Sequence, residues 1–357
     1  MAKRREENPN QSGGIRALAR LLTQIENRDP AALVELSQLE SATDTAYRLG
    51  VTGPPGSGKS TLVDQLIRRL REQGERVAVV AVDPSSPFSG GAVLGDRVRM
   101  QAHAADDGVF IRSLGSRGAH GGLSAATRAM TRALAAHGFR WIIIETVGVG
   151  QTECDIMELA DTTLVVLVPE AGDVVQTLKA GLLEVADLFV VNKGDRPGAT
   201  QMANALTAMV ELGRFESGTK TLQHDAAHHI TETATTPESS TAARWRVPVL
   251  QTTATTGDGA AELLTAIRRH AAWVGQDAAH DARQRAVRRR ELLDLCAEAW
   301  RVRFDAQLAA SAELRQLVEA VERGELNPYA VVASLCEATM ASAGAATSSL
   351  PLGRETE

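Results

Sequence analysis

Nine consecutive residues, Gly53, Pro54, Pro55, Gly56, Ser57, Gly58, Lys59, Ser60 and Thr61, match GxxxxGK[ST] at every fixed position. That spacing suits one chemistry, the cradling of a phosphate chain. Small residues let the backbone curl so that successive N–H groups face a phosphate, and the helix N-terminus that follows adds positive potential. Lys59 then reaches the β- and γ-phosphates, and the Ser60 hydroxyl becomes a ligand for Mg²⁺. Until a nucleotide arrives, Lys59 is expected to be an exposed loop charge with no packing role. Three acids complete the set. Asp83 ends an apolar run in VDPSS, Glu145 ends another in ETVG, and Asp96 lies in LGDRVRM. Each can hold the metal or its water shell, and Gly148 can give its N–H to the γ-phosphate. Lys59, Asp96 and Glu145 are the expected catalytic groups.

A second motif chooses the base. Asn192, Lys193, Gly194 and Asp195 follow a run of apolar residues directly. The pattern resembles the NKxD motif that selects guanine. A carboxylate at Asp195 accepts from guanine N1–H and N2–H₂; adenine offers no such donor pair, and the carboxylate would be left unpaired. Thr253, Ala254 and Thr255 stand where an [ST]-A-x motif backs the base. The implied ligand is GTP or GDP with Mg²⁺.

These residues need a scaffold. Seven short β-rich runs, at 47–52, 76–82, 109–113, 141–146, 162–168, 188–192 and 248–253, alternate with amphipathic stretches. The runs are apolar nearly throughout, as in strands buried on both faces. The alternation predicts an α/β fold, a mostly parallel sheet with right-handed crossovers and helices on both faces. The phosphate loop falls between a strand at 47–52 and a helix at 62–72. Residues 1–45 read as a polar tail and a small helical extension, with Asp29 capping a helix that starts at Pro30. The nucleotide domain spans 46–275. Within it 216–244 is poor in apolar residues and reads as a flexible insert. Residues 276–341 are helical, with Leu293, Cys296, Trp300 and Phe304 on one stripe. Residues 342–357 read as a tail.

Composition excludes several classes. Hydrophobic residues make up 44% and charged residues 23% of the 357, the balance of a globular protein. A net charge of −6 argues against nucleic acid as the main ligand. The longest apolar runs are about five residues where a membrane span needs about 20. The N-terminus has no apolar segment of a secretory signal. Cys154, Cys296 and Cys336 form no CxxC pair, which points to a reducing cytosol and no zinc knuckle.

Taken together, GPPGSGKST, AVDPSSPFSGGAVLGDRVRM, ETVGVGQTE, VPEAGDVVQTLKAGLLEVAD and VNKGD occur in that order. They closely resemble the methylmalonyl-CoA mutase-associated GTPases, the MeaB/ArgK group that includes the human methylmalonic aciduria type A protein. The resemblance covers about residues 15 to 335. It implies a P-loop G domain of the metallochaperone-related class and a C-terminal helical arm that makes a homodimer. It also implies a cytoplasmic GTPase chaperone for an adenosylcobalamin-dependent acyl-CoA mutase, gating cobalamin loading and protecting or rescuing the mutase. Residues 169–187 align with a segment that relays nucleotide state to the mutase, and Asp173, Gln176 and Lys179 match its polar positions. Two rival readings are a nickel-insertion GTPase and a small-molecule kinase linked to arginine and ornithine transport. The first needs a His/Cys-rich metal store and the second an acceptor pocket with a base; no motif supplies either.

Overall fold

The computed structural model describes residues 11–39, 46–84, 100–103, 105–116, 120–146, 159–169, 186–213, 245–276 and 278–332. It divides into two compact units, residues 1–287 and 288–357.

The first unit is built on a seven-stranded sheet. Its strands are β1 (Tyr47–Thr52), β2 (Val77–Pro84), β3 (Val109–Ser116), β4 (Trp141–Thr146), β5 (Thr162–Leu167), β6 (Leu188–Val191) and β7 (Val249–Gln251). All pairings are parallel, in the order β3-β2-β4-β1-β5-β6-β7. The helices are α1 (Gln11–Glu26), α2 (Pro30–Ser37), α3 (Lys59–Glu72), α4 (His120–Ala136), α5 (Ala199–Gly213) and α6 (Ala260–Val274). β4 and β5 are buried along their whole length, which explains the uninterrupted apolar runs Trp141–Ile144 and Leu164–Leu167 within them.

Side-chain alternation sorts the helices. Val51, Val79, Ile143 and Leu164 meet Leu62, Leu66, Ile67 and Leu70 of α3 and Leu263 and Ile267 of α6. Val80, Ile142 and Ile144 project the other way, onto Leu18, Leu21 and Leu22 of α1 and Met130 and Leu134 of α4. Val165, Phe189 and Val191 share that second face with Met202 and Leu206 of α5. Each such side chain contributes about 1.5–3 kcal/mol by leaving water. With aromatics at only 3%, these aliphatic layers carry the fold.

The chain leaves β1 toward β2, β3 and β4 on one side, and continues to β5, β6 and β7 on the other. Ligands of open α/β sheets bind where the order reverses, at the carboxyl ends of the strands. The phosphate loop after β1 stands at that point.

Several boundaries differ from the sequence expectation. α3 begins at Lys59 rather than 62, because the loop feeds straight into the helix. β6 stops at Val191, since Lys193 turns the chain out with φ 58°. β7 stops at Gln251, because the Thr253 N–H turns to the Asp258 carbonyl. Asp29 caps α2 as expected, accepting from the Ala31 N–H at 2.9 Å.

The chain continues in α7 (Ala278–Ala310), 33 residues long, and α8 (Ala312–Glu322). Within the second unit Leu314 and Val331 are buried. Leu293 is 59% exposed and Trp300 44%. Leu292, Leu295 and Val302 are exposed as well and lie off the expected stripe, so the exposed apolar side chains of this helix are not confined to one face. Among the described residues, no helix is long and apolar enough to cross a membrane.

Candidate functional site

The phosphate loop is shaped by two contacts that only glycine permits. Gly53 has φ 141°, and a Cβ there would lie 2.0 Å from the Val166 carbonyl oxygen. Gly58 has φ 85°, and a Cβ there would lie 2.3 Å from the Asn192 side-chain nitrogen. Gly58 is also the N-cap of α3 and offers no side chain to the first-turn N–H groups. No side chain of the cap competes for those donors, and with the helix dipole they could receive an anion. Pro55 and Gly56 form the exposed crest, while Ser57 is buried beneath it.

Lys59 corrects the expectation of an exposed charge. It is only 6% exposed, and its ammonium donates to the Gly53 carbonyl at 2.8 Å and the Pro54 carbonyl at 3.0 Å. The lysine folds back along its own loop and ties it closed. A positive charge this buried needs acceptors, and the loop carbonyls supply them. A phosphate offers stronger acceptors to the same group.

Ser60 donates its hydroxyl to Glu145 Oε1 at 2.7 Å, with both side chains buried. α3 delivers Ser60 and the end of β4 delivers Glu145, which is 1% exposed. A hydroxyl and a carboxylate held together at the sheet edge form an oxygen donor set of the kind Mg²⁺ takes. The pairing of β2 with β4 sets Ala81 opposite Glu145, so the backbone of Asp83 lies two positions further along the neighbouring strand. Asp96 and Gly148 lie outside the described residues, as do Asp173, Gln176, Lys179 and the insert at 216–244. Among the described residues no group of three or more His, Cys, Asp or Glu side chains gathers at metal-binding spacing.

Asn192 joins the two motifs. Its amide donates to the Ser57 carbonyl at 2.8 Å. Its side-chain oxygen accepts from Thr252 Oγ1 and from the Ala254 N–H, both at 3.1 Å. One buried amide therefore connects the phosphate loop, the end of β6 and the turn after β7. Asp195 is exposed beyond it. Ala254 is buried, Thr253 half-buried and Thr255 exposed. Arg69 of α3 donates to the Gly257 carbonyl at 3.1 Å and braces the same turn.

Two pairs fasten the approach to β3 onto α3. His103 meets Asp64 at 2.8 Å, and Arg71 forms a two-pronged contact with Asp106, both distances 2.8 Å. The Arg71 hydrogen bond holds the Asp106 carboxyl below its ordinary range, against an opposing push from burial, with the Gly108 N–H adding to the depression. Neither pair was legible in the sequence. Their partners lie 39 and 35 residues apart and follow no spacing rule.

Residues 18–308 match the family model described as methylmalonyl-CoA mutase-associated GTPase MeaB. A Pyrococcus horikoshii protein assigned as a GTPase is 40% identical over 317 residues, which cover 89% of this chain and 92% of that one. The mouse methylmalonic aciduria type A homolog, a mitochondrial protein, is 42% identical over 149 residues, covering 42% and 36% of the two chains. A crystal structure described as a LAO/AO transport system kinase superposes with a TM-score of 0.56 at 24% identity, over 94% of this chain and all of that one. At that identity the likeness concerns the fold.

Proposed function

The chain belongs to the methylmalonyl-CoA mutase-associated GTPase family, and on that premise we propose that it serves as a GTP-hydrolysing chaperone of an adenosylcobalamin-dependent acyl-CoA mutase. Methylmalonyl-CoA mutase is the first client to test. Guanine-nucleotide binding and GTP hydrolysis are the chemistry of the family. The observation that carries the reading is the convergence of Lys59, Ser60, Glu145 and Asn192 at one sheet edge, in a chain matching a family described by its association with that mutase.

In this reading Lys59 exchanges the carbonyls of Gly53 and Pro54 for phosphate oxygens. The uncapped N–H groups of α3 and the loop cradle the same phosphates. Asp195 accepts from the guanine edge while Asn192 keeps the base and phosphate subsites in register. Ser60 and Glu145 would hold Mg²⁺, with Asp83 and Asp96 as further oxygen donors, and a metal there would supply positive charge against the phosphates.

Asp173, Gln176 and Lys179 are the proposed relay to the mutase. A second copy of the chain is the proposed cover for the exposed apolar side chains of α7, since a helix carrying Leu293 and Trp300 at this exposure calls for a partner surface. The test mixes the full chain with candidate acyl-CoA mutases and follows GTP turnover. The expected result is a complex and a faster rate with one of them. Gln176→Ala and Lys179→Ala should keep basal turnover and lose most of that stimulation. No complex and no change in rate with any such mutase would refute the chaperone role.

A further inference from the structure

Two buried hydroxyls beside the phosphate loop have no role in the chemistry above. Thr52, the last residue of β1, is 0% exposed, and Thr146, the last of β4, is 1% exposed. Neither side-chain oxygen has a hydrogen-bond partner among the described residues. The only other side-chain hydroxyl in that condition among them is Ser57, in the loop itself. Buried unpartnered hydroxyls thus gather at this one edge.

The register makes Thr52 and Thr146 neighbours. The pairing of β1 with β4 runs up to Val51 opposite Glu145, so Thr52 and Thr146 are the next position on each strand. Side chains alternate along a strand, and paired positions of parallel strands project to the same face. Glu145 points to the α3 face, where Ser60 meets it. Thr52 and Thr146 therefore point together to the opposite face, the one covered by α1 and α4. Thr52 immediately precedes Gly53. Thr146 immediately follows Glu145 and leads toward Gly148. The two hydroxyls mark the roots of the phosphate loop and of the segment that leaves β4.

Burying a hydroxyl without a hydrogen bond is a net cost to stability. Valine has the same shape and would remove that cost twice over. Retaining threonine at both positions is explained if the hydroxyls act on something. We propose that Thr52 and Thr146 are positioning residues for GTP hydrolysis, holding one shared water that couples the phosphate loop to the end of β4 at Glu145. Each hydroxyl can donate to and accept from such a water, and one that also reaches backbone groups has the two to four partners a buried water needs. The coupling sets the rate of the hydrolytic step. It leaves nucleotide affinity alone, because neither side chain is needed for the contacts that Lys59, Ser60 and Asp195 make.

The inference rests on the GTPase reading, and the experiment separates the two. Thr52→Val, Thr146→Val, the double variant and the conservative Thr52→Ser and Thr146→Ser are made in the full chain. Turnover of GTP, KM, GDP affinity and thermal midpoint are measured for each. The expected result is a kcat at least tenfold lower in each valine variant, with KM and GDP affinity within about twofold. The double variant should be no slower than the slower single, because both lose the same water. The serine variants should recover most of the rate. The thermal midpoints of the valine variants should equal or exceed that of the unmutated chain, which separates positioning from structural support. Unchanged kcat with a raised midpoint would overturn the proposal and leave the hydroxyls a plain stability cost. Additive losses without recovery by serine would overturn it equally. Should a valine variant not fold, cysteine at the same position keeps the size with a poor hydrogen-bonding group and is read by the same criteria. Absence of GTP turnover in the unmutated chain would instead sink the GTPase reading itself.

Discussion

Asn192 and Gly58 provide a test of how the two binding motifs are joined. Asn192→Ala removes an amide that is 2% exposed and makes three hydrogen bonds, to the Ser57 carbonyl, Thr252 Oγ1 and the Ala254 N–H. At roughly 1 kcal/mol net for each, with part of the desolvation cost of the stranded partners, the loss should be about 2–4 kcal/mol. Gly58→Ala acts on the same contact from the other side. Its left-handed conformation costs an alanine about 1–2 kcal/mol, and the new Cβ would lie 2.3 Å from the Asn192 side-chain nitrogen. Relieving that overlap adds about 1–3 kcal/mol. In the Asn192→Ala background the obstructing nitrogen is gone, so only the backbone part of the glycine effect should remain. The double variant should therefore be more stable than the sum of the singles by about 1–3 kcal/mol. Urea denaturation of the four chains, free of nucleotide and followed by tryptophan fluorescence, gives the cycle. Additivity within about 0.5 kcal/mol would refute the reasoning, since residues that share no contact add to that precision.

Four further outcomes are expected. Asp195→Asn should weaken GTP binding and favour xanthosine nucleotides, measured by competition; equal affinity of the unmutated chain for ATP and GTP would count against the guanine assignment. Lys59→Ala should abolish GTP turnover and also lower stability without nucleotide by about 1–3 kcal/mol, because the ammonium ties two loop carbonyls. The Asp106 carboxyl is depressed when folded, so its contribution is fully present above the unfolded value near ~4 and is lost as pH falls through the lower folded value. Asp106→Asn should accordingly differ in stability from the unmutated chain at neutral pH and converge with it in acid, as read by urea midpoints across pH. Truncation after Gln276 should yield a monomer that still binds GTP, and sedimentation showing an unchanged dimer would contradict the assignment of α7.

Some of this protein was legible in its residues alone, and the reason is local. GxxxxGK[ST] and NKGD are readable because each gathers its groups within a few consecutive residues at fixed offsets, which a short sequence specifies completely. The strands were readable because a parallel sheet buried on both faces leaves uninterrupted aliphatic runs, such as Ile142 to Ile144 and Leu164 to Val168. The cap at Asp29 was readable because its partner is two residues away. What tertiary structure decided involves groups brought together across the chain. Ser60 and Glu145 are 85 residues apart, and their contact exists only because α3 packs over the end of β4. Asn192 reads from sequence as a base-binding residue, yet here it is also the staple between Ser57 and Ala254, set by strand order. Lys59 reads as a free charge until the fold surrounds it and leaves its own loop carbonyls as acceptors. Thr52 and Thr146 carry no motif at all. Only the register of β1 against β4 sets them side by side, and only burial makes two ordinary hydroxyls costly enough to call for a purpose.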